Sequence, residues 1–350
     1  MKKIAINGAP LTGDVTGIER YAREILNAMD RICEKGRFIL VVPQCVNDIP
    51  HYQNIEVKRY GRLKGILWIQ TYYTYYVVRH ALTPFSFDAI VPIFKPGIAT
   101  IHDISYKVNS AFFNDGIKGY LAIKFREVLY HRCIRSCSRI FTVSDFSKKE
   151  ICKHYPCNAE KITVTGNGWD HLQKTTSNAQ LKEQHPEWFV KPFFYTLSSI
   201  AKNKNIAWII ETAKKNTDYH FLIAGGIQKH SSDVLRGIEE AHNIILLGRI
   251  SDADSKYLME HCEAFLFPSL YEGFGIPPLE ALACGARIVI SNATCLPDIY
   301  KDSAYYIDPK TPCENLRQLL NKDVGTSKQI LERYTWQNIA RIVYECLAIS

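Results

Sequence analysis

Two glutamates on either side of a glycine loop are the residues of this chain best suited to do chemistry. Glu272 begins the loop, and Glu280 follows it eight positions later. Backbone amides at the start of a helix attract phosphate, whereas a carboxylate repels phosphate and accepts hydrogen bonds from sugar hydroxyls. A segment that offers both kinds of group predicts a binding site for a nucleotide sugar.

Local signals around the loop predict the elements that hold it. The apolar run 264–267 is typical of a buried strand. Pro277 and Pro278 suit the first turn of a helix, and Gly285 suits its C-terminal cap. We therefore expect a strand, a loop and a helix that carry both glutamates, with ordinary solvated glutamates on the same elements as the alternative.

The context Pro-Ser-x-Tyr-Glu-Gly-Phe-Gly-x-Pro resembles the signature of a known enzyme family. This family comprises the retaining, two-domain (GT-B) glycosyltransferases of family 4, also called glycosyl transferases group 1. The resemblance spans nearly the whole chain and matches the spacing of the two glutamates. It implies that Glu272 contacts the donor sugar and that Glu280 binds the nucleotide ribose. It also assigns donor binding to the loop residues Gly273, Phe274, Gly275 and Ile276.

A second glycine loop lies between the opening strand and the next helix. It resembles the family motif Thr-Gly-x-x-Arg-Tyr at Gly17, Arg20 and Tyr21. Open α/β sheets bind ligands beyond the carboxyl ends of their strands. We expect Gly13 and Gly17 to let backbone amides approach the donor diphosphate, and Arg20 to have a structural role.

The pair His102-Asp103 ends another predicted strand. The family carries a His-Asp pair at this place, which implies that His102 is a catalytic imidazole near the donor sugar. Asp103 would orient that ring or accept a hydrogen bond from a substrate at the same site. Without the resemblance, a histidine at a strand end is more often a hydrogen-bonded core residue.

Lys204 is the best candidate for a diphosphate ligand. It opens a predicted helix after the apolar run 193–197. The family's arginine is absent here, because Asn203 stands in its place. Arg249, after the run 244–247, is the candidate for the second cation, with an ordinary loop ion pair as the alternative. Lys204 and the helix amides would stabilise the departing diphosphate as an oxocarbenium-like sugar forms.

Apolar runs alternate with amphipathic stretches in both halves of the chain, which predicts α/β structure with parallel sheets. In the first half the strand candidates are 4–6, 38–42, 89–93, 99–101 and 140–143, and the helix candidates are 17–29, 65–79, 117–137 and 148–154. The pattern restarts after the polar segment 173–185, which we interpret as a linker.

These elements and the resemblance predict GT-B architecture, in which two Rossmann-like domains face each other across a cleft. Residues 1–172 would form the acceptor-side domain, and residues 173–336 the domain that binds the nucleotide sugar. In the family the final helix, here about 337–350, crosses back onto the N-terminal domain. Trp336 suits that crossing, although it could equally pack the helix onto its own domain.

Charge is distributed unevenly along the 350 residues. Residues 1–170 contain 24 Lys and Arg against 15 Asp and Glu, within a net charge of +8 for the chain. Two basic clusters, the first followed by an aromatic stretch, could contact an anionic membrane, or could be solvated helix faces. Their members are Lys58, Arg59, Arg62, Lys64, Lys118, Lys124, Arg126, Arg132 and Arg135. No nucleic-acid motif accompanies them, so we expect no nucleic-acid partner.

Several signals are weak or missing. The chain has no apolar run long enough for a signal peptide or a membrane span, and its eleven cysteines lack zinc-site spacing. We therefore expect a cytoplasmic protein, at most at the inner face of the cell membrane. Asp252-Ala253-Asp254 has the letters of a metal motif but suits a helix cap. We expect no metal and no cofactor, with the nucleotide diphosphate sugar as substrate.

The resemblance thus implies a metal-independent, retaining glycosyltransferase that acts in surface polysaccharide synthesis. It would move a hexose or deoxyhexose, of mannose or rhamnose type, to a glycan or polyprenyl-diphosphate-linked acceptor. One alternative is a nucleotide-sugar epimerase or phosphorylase of the same fold, which would need no acceptor sugar or would use inorganic phosphate. Another is a non-catalytic nucleotide-sugar-binding protein, against which the intact glutamates argue.

Overall fold

A computed structural model describes residues 3–12, 17–113, 116–226 and 232–348. These residues divide into two compact units. The first contains the residues up to Gly168 together with those from Tyr334 onward, and the second is Trp169–Arg333. The final segment of the chain therefore belongs to the first unit, while the divisions predicted from the sequence lie after residues 172 and 336.

The first unit contains a seven-stranded parallel sheet. Its strands are β1 Ile4–Asn7, β2 Phe38–Val42, β3 Glu56–Arg59, β4 Thr83–Ser86, β5 Ile98–Thr100, β6 Arg139–Thr142 and β7 Ile162–Val164. Their order is β3-β2-β1-β4-β5-β6-β7, and every neighbouring pair is parallel. β1 and β2 are buried along their whole length, as central strands of a covered parallel sheet must be.

The second unit contains a six-stranded parallel sheet. Its strands are β8 Phe193–Leu197, β9 His220–Ala224, β10 Ile244–Gly248, β11 Ala264–Phe267, β12 Ile288–Ser291 and β13 Tyr305–Ile307. The order is β10-β9-β8-β11-β12-β13. The direction of winding reverses between β8 and β11, so the loops that follow these two strands meet at a topological switch point.

Fifteen α-helices surround the two sheets within the described residues. They are α1 Gly17–Met29, α2 Gly65–Trp68, α3 Thr74–Arg79, α4 Ser105–Val108, α5 Gly116–Ser136, α6 Asp145–His154, α7 Leu181–Gln184, α8 Ile206–Lys215, α9 Ser232–Glu240, α10 Asp252–His261, α11 Ile276–Ala283, α12 Leu296–Tyr300, α13 Leu316–Leu320, α14 Lys328–Arg333 and α15 Trp336–Ala348. A π-helical turn, Ile69–Tyr73, joins α2 to α3. In the part of the chain described here, no helix is both long and apolar enough to cross a membrane.

One predicted strand of the first unit is wrong, and β3, β4 and β7 were not predicted. The strand predicted at 89–93 is absent, and β4 lies earlier, where Pro84 occupies a buried position beside β1. Both runs contain a proline, Pro84 in β4 and Pro92 in 89–93, so this residue did not distinguish the true strand from the predicted one. The backbone turns instead at Asp88, whose Oδ1 accepts from the Ile90 amide at 2.9 Å. β3 escaped prediction because its side chains are mostly charged and half exposed.

The polar segment interpreted as a linker belongs to the second unit and packs against α10. Asn178 donates from Nδ2 to Oδ1 of Asp254 at 2.7 Å, and Lys256 donates from Nζ to the carbonyls of Leu172 and Thr175 at 3.2 and 2.9 Å. Leu181 is buried. This polar segment, which has neither helical nor strand periodicity, therefore forms short turns that hydrogen bonds to α10 hold in place.

The chain breaks just before its final helix, since α14 ends at Arg333 and α15 begins at Trp336. α15 packs against α1 in the first unit. The Trp336 ring is fully buried and meets Tyr21 edge to face, with ring centroids 5.9 Å apart. Such an aromatic pair adds specific geometry to the area that it buries.

Candidate active site

The loops that follow β8 and β11 are joined at the switch point of the second unit. Asn205 adopts a left-handed conformation with φ of 58° and donates from Nδ2 to the carbonyls of Pro268 (3.0 Å) and Pro309 (2.7 Å). The Leu270 amide donates to the Asn203 carbonyl at 2.8 Å. Asparagine tolerates this backbone conformation better than most residues, so one side chain both turns its own loop and holds the neighbouring loop.

The loop after β11 turns sharply into α11 at Gly275. The φ of Gly275 is 87°, and a Cβ there would lie 2.9 Å from Cδ2 of Leu296 and 3.3 Å from Cε1 of Phe267. Tyr300 donates from its hydroxyl to the Gly275 carbonyl. Only glycine combines this φ with the available space.

α11 has the boundaries that its sequence predicts. Proline occupies the first turn, and Gly285 follows the helix with φ of 82°. The side chain of Phe274 is buried within the unit, so a donor would contact backbone atoms of the loop at this position. The first amides of α11 lie next to Glu272 in the chain and supply the partial positive charge of a helix N-terminus.

Glu272 and Lys204 form an ion pair across the two loops. Lys204 Nζ lies 2.6 Å from Oε1 of Glu272, and the two side chains are 23% and 12% exposed. The same Nζ lies 5.5 Å from the centre of the Phe267 ring. The predicted phosphate ligand and the predicted sugar ligand are therefore neighbours, with the ammonium held beside the loop rather than free in solvent.

Glu280, on the second turn of α11, is paired with His171. Nε2 of His171 lies 3.0 Å from Oε1 of Glu280, and the side chains are 5% and 10% exposed. Sequence reasoning missed His171, which directly follows the turn Gly-Asn-Gly-Trp-Asp at 166–170.

Arg249 lies at the same carboxyl edge of the sheet, but at the far end of the strand order. It follows β10, which β9 and β8 separate from β11. Its guanidinium lies over the backbone of Gly226, where an added Cβ would be 3.6 Å from Nε. Its assignment as the second cation stays a prediction.

His102 lies beyond β5 in the first unit. Its Nε2 is 3.0 Å from the Phe87 carbonyl, and since a carbonyl only accepts, Nε2 carries the hydrogen. The ring meets Tyr21 edge to face at 4.9 Å. Burial lowers the pKa of His102, so the imidazole is neutral near pH 7, with Nδ1 as its acceptor nitrogen.

Asp103, the neighbour of His102, has a local partner. Its Oδ1 accepts from the amide of Ser105, the first residue of α4, at 2.7 Å. This contact engages one oxygen of the carboxylate with the backbone. The predicted role of Asp103 toward a substrate stays a prediction.

Of the two glycines predicted to approach the diphosphate from the first loop, the structure describes only Gly17. Gly13 lies outside the described residues. Gly17 is the exposed first residue of α1, and a Cβ there would meet nothing within 4 Å. Sequence reasoning missed Gly8, directly after β1, where a Cβ would lie 2.3 Å from Cγ1 of Val42. Close packing therefore requires glycine at position 8.

Serines cap both α6 and α10, whereas the sequence predicted that Asp252-Ala253-Asp254 would cap α10. Ser144 accepts from the Ser147 amide at 3.0 Å and begins α6. At α10 Ser251 is the cap, and Asp254 accepts from its hydroxyl at 2.7 Å. Over the ranges described, no group of three or more His, Cys, Asp or Glu side chains is arranged to hold a metal ion.

None of the eleven cysteines, all within the described residues, takes part in a disulfide bond. The Sγ atoms of Cys133 and Cys137 lie 3.8 Å apart, and those of Cys152 and Cys157 lie 3.6 Å apart, too far for disulfide bonds. Most of the eleven thiols are buried or partly buried. They behave as small packing residues.

Solved structures share this fold over the whole chain. The chain aligns with the sucrose-phosphate synthase of Thermosynechococcus elongatus at a TM-score of 0.74, with 16% identity and 100% of both chains covered. It aligns equally well with HepE of Anabaena in complex with UDP and glucose, with 17% identity and full coverage of both chains. Two units of this topology define the GT-B fold, which confirms the predicted fold class.

The sequence matches two family descriptions in tandem. Residues 15–171 match Glycosyltransferase Family 4, and residues 178–329 match Glycosyl transferases group 1. The chain belongs to the family 4 (glycosyl transferases group 1) glycosyltransferases, as its motifs predict. It is therefore a transferase that uses a nucleotide-sugar donor and a glycan acceptor.

Curated relatives cover almost the whole chain. The O-antigen chain mannosyltransferase B of Escherichia coli is 25% identical over 96% of this chain and 97% of that protein. The O-antigen chain mannosyltransferase RfbU of Salmonella typhimurium is 24% identical over 99% of both. Both units of the chain thus have counterparts in each of these relatives.

Proposed function

We propose that this protein is a retaining mannosyltransferase of surface polysaccharide synthesis. It would move a mannose-type hexose from a nucleotide diphosphate sugar to a growing glycan on a polyprenyl diphosphate carrier. The observation that carries the transferase chemistry is the Lys204–Glu272 pair beside the first turn of α11, at the switch point where such sheets bind ligands. The sugar is proposed from the O-antigen mannosyltransferases, which match the chain almost from end to end.

Lys204 and Glu272 would interact with different parts of the donor during transfer. As the bond between the anomeric carbon and the diphosphate oxygen breaks, negative charge grows on the diphosphate next to Lys204 and the α11 amides. Glu272 would accept from sugar hydroxyls. The acceptor hydroxyl attacks the anomeric carbon from the face that the diphosphate leaves and gives its proton to a diphosphate oxygen. The configuration is then retained, and no other reactant is needed.

A donor screen followed by a transfer assay tests this proposal. Thermal shifts with GDP-, UDP- and dTDP-sugars identify the donor, since a ligand that binds only the folded state raises the melting temperature. Transfer to an oligosaccharide on a polyprenyl diphosphate is then followed by NMR of the new linkage. A mannoside of the donor's anomeric configuration supports the proposal. An inverted linkage, a rhamnoside, or turnover without acceptor contradicts it.

We propose that transfer needs no metal, because Lys204 and the α11 amides supply positive charge where the diphosphate would lie. EDTA is therefore expected to leave the transfer rate unchanged in a steady-state assay with the identified donor. The matched control is a metal-dependent glycosyltransferase assayed in the same buffer. Activity that EDTA abolishes and Mg²⁺ or Mn²⁺ restores would show that a metal takes part.

Glu280→Gln is expected to raise the Kd for the nucleoside diphosphate by about 10- to 100-fold, because a charge-assisted hydrogen bond to ribose contributes roughly 1.5–3 kcal/mol. Calorimetry measures the effect. Glu260→Gln, on the exposed face of α10, is the matched control and should bind as the wild type does. Equal affinities of all three proteins would remove Glu280 from the ribose site.

We propose a peripheral contact between α5 and an anionic membrane, which would bring a lipid-linked acceptor to the enzyme. Four apolar side chains at helical spacing are exposed on α5: Ile117 (81%), Leu121 (59%), Phe125 (50%) and Val128 (65%). Exposed basic residues lie beside this stripe, among them Lys118 and Lys124, of which Lys124 is also paired with Glu127 at 2.9 Å. An apolar stripe next to cations suits a bilayer interface.

The other basic cluster offers less support, because much of its aromatic stretch is core. Trp68 and Tyr73 are fully buried, and each donates to a backbone carbonyl, Trp68 to Tyr60 at 2.6 Å and Tyr73 to Ala5 at 2.7 Å. Lys58 is paired with Glu56 at 2.6 Å. We therefore place the membrane contact on α5.

The protein is expected to sediment with anionic liposomes at low salt and to be released as salt rises, since surface attraction is screened within about 10 Å at 0.1 M salt. The variant Leu121→Gln with Phe125→Gln should lose most of this binding. Val190→Gln, which changes an exposed apolar residue of the second unit, is the control and should bind normally. Equal sedimentation with neutral and anionic liposomes would contradict the proposal.

A further inference from the structure

The pair formed by His171 and Glu280 lies inside the second unit and has little contact with solvent. Two elements that are distant in sequence bring it together: the 3₁₀ turn Asp170–Lys174 and the second turn of α11. A carboxylate buried to this degree is costly unless a donor faces it. The imidazole of His171 faces it at ion-pair distance, with 3.0 Å between Nε2 and Oε1, but the ring nitrogen is not aligned for a hydrogen bond.

The turn that carries His171 is itself held at both ends. Trp169 donates from Nε1 to the Leu331 carbonyl at 2.9 Å, and Lys256 donates from Nζ to the Leu172 carbonyl at 3.2 Å. These bonds fasten the turn to α14 and α10. The imidazole is therefore presented to Glu280 from a fixed backbone rather than from a free surface loop.

A glutamate side chain has three rotatable bonds, so a carboxylate that must meet two neighbouring ribose hydroxyls benefits from a partner that fixes its rotamer. The imidazole of His171 lies against Oε1 of Glu280 and limits the space in which the carboxylate can rotate. Partners of this kind hold catalytic bases and metal ligands in place elsewhere. The same physical logic applies to a carboxylate that binds sugar hydroxyls.

We propose that His171 is a positioning residue for the nucleotide, which acts by orienting the Glu280 carboxylate toward the ribose hydroxyls. This inference rests on the ribose-binding role of Glu280 in the proposed function. His171 would not touch the reacting atoms. Its loss should therefore weaken donor binding and raise KM while kcat at saturating donor stays near the wild-type value.

The test compares three substitutions of His171. Gln places an amide nitrogen near the position of Nε2, Asn is too short to do so, and Leu fills the space without a donor. The probes are GDP with 2′,3′-dideoxy-GDP, and UDP with 2′,3′-dideoxy-UDP; the pair whose ribonucleotide binds the wild type more tightly is used. Titration calorimetry measures each Kd, and thermal melts report the folding of each variant.

We expect His171→Leu and His171→Asn to raise the Kd of the ribonucleotide by about 10-fold, the loss of one close polar contact with a charged group. His171→Gln should restore most of the affinity, and the dideoxynucleotide should bind all four proteins with similar Kd. In a Glu280→Gln background, His171→Leu should cause no further loss, because neighbours that act as one unit are not additive. If the Leu variant fails to fold, the Gln and Asn variants carry the comparison.

Equal losses for the ribonucleotide and the dideoxynucleotide would overturn the inference, and so would additive effects of the His171 and Glu280 substitutions. If Glu280→Gln weakens nucleotide binding and His171→Leu does not, the positioning role of His171 is rejected and the ribose-binding role of Glu280 is kept. Unchanged binding by Glu280→Gln removes the ribose role on which the inference depends. If the substitutions give the expected Kd values but the protein transfers no mannose, the inference is supported and only the proposed function is contradicted.

Discussion

Lys204→Ala is expected to lower kcat by about 100- to 1,000-fold while it raises KM for the donor far less, by analogy with the removal of one preorganised group that stabilises developing charge. Negative charge on the diphosphate grows as the glycosidic bond breaks, so an ammonium beside it contributes more in the transition state than in the ground state. Steady-state kinetics with the identified donor separates the two parameters.

Lys202 provides the matched control, because it lies on the same 3₁₀ turn and is exposed. Lys202→Ala should have near wild-type kinetics. A Lys204→Ala enzyme with raised KM and unchanged kcat would limit Lys204 to ground-state binding. Wild-type values of both parameters would make it an ordinary partner of Glu272, and the phosphate site would then have to be sought around Arg249.

Gly275→Ala is expected to destabilise the protein strongly and to abolish donor binding. An alanine at φ of 87° carries a backbone cost of about 1–3 kcal/mol. Its Cβ would also press against Leu296 and Phe267, and overpacking of this kind costs roughly a further 1–3 kcal/mol. Since this glycine sets the start of α11, the loop that carries Glu272 should shift as well.

Gly285→Ala separates the two costs, because Gly285 has nearly the same φ, 82°, at the other end of α11 but nothing within 4 Å of an added Cβ. It should lose only the backbone term and keep its affinity for the nucleotide. Urea unfolding of both variants and calorimetry with the nucleoside diphosphate measure the difference. Equal losses of stability would show that the loop relaxes around the new methyl group.

Signals that lie close together in sequence predicted the elements around the site well. Prolines in the first turn and a glycine after the last turn set the ends of α11. These rules depend on backbone geometry within a few residues. Edge strand β3 lacked such a signal, because its charged side chains suit an exposed edge and give no apolar run.

The family motif also identified the two glutamates and the loop between them, and it predicted that the chain belongs to a glycosyltransferase family. Spacing along one loop and one helix is a local property, so it can be recognised in the sequence. The partners of those glutamates are different in kind. Lys204 meets Glu272 although 68 positions separate them, and Asn205 holds the Pro309 carbonyl across 104 positions.

Only the tertiary structure decided these pairings, because the order of strands brings the ends of β8 and β11 side by side at the switch point. The same is true of His171, whose turn reaches Glu280 only because α10 and α14 hold it there. The sequence by itself therefore determined the chemical groups and the short elements that carry them. The packing of distant segments decided which carboxylate faces a lysine and which faces a histidine, since contacts between such segments depend on the fold as a whole.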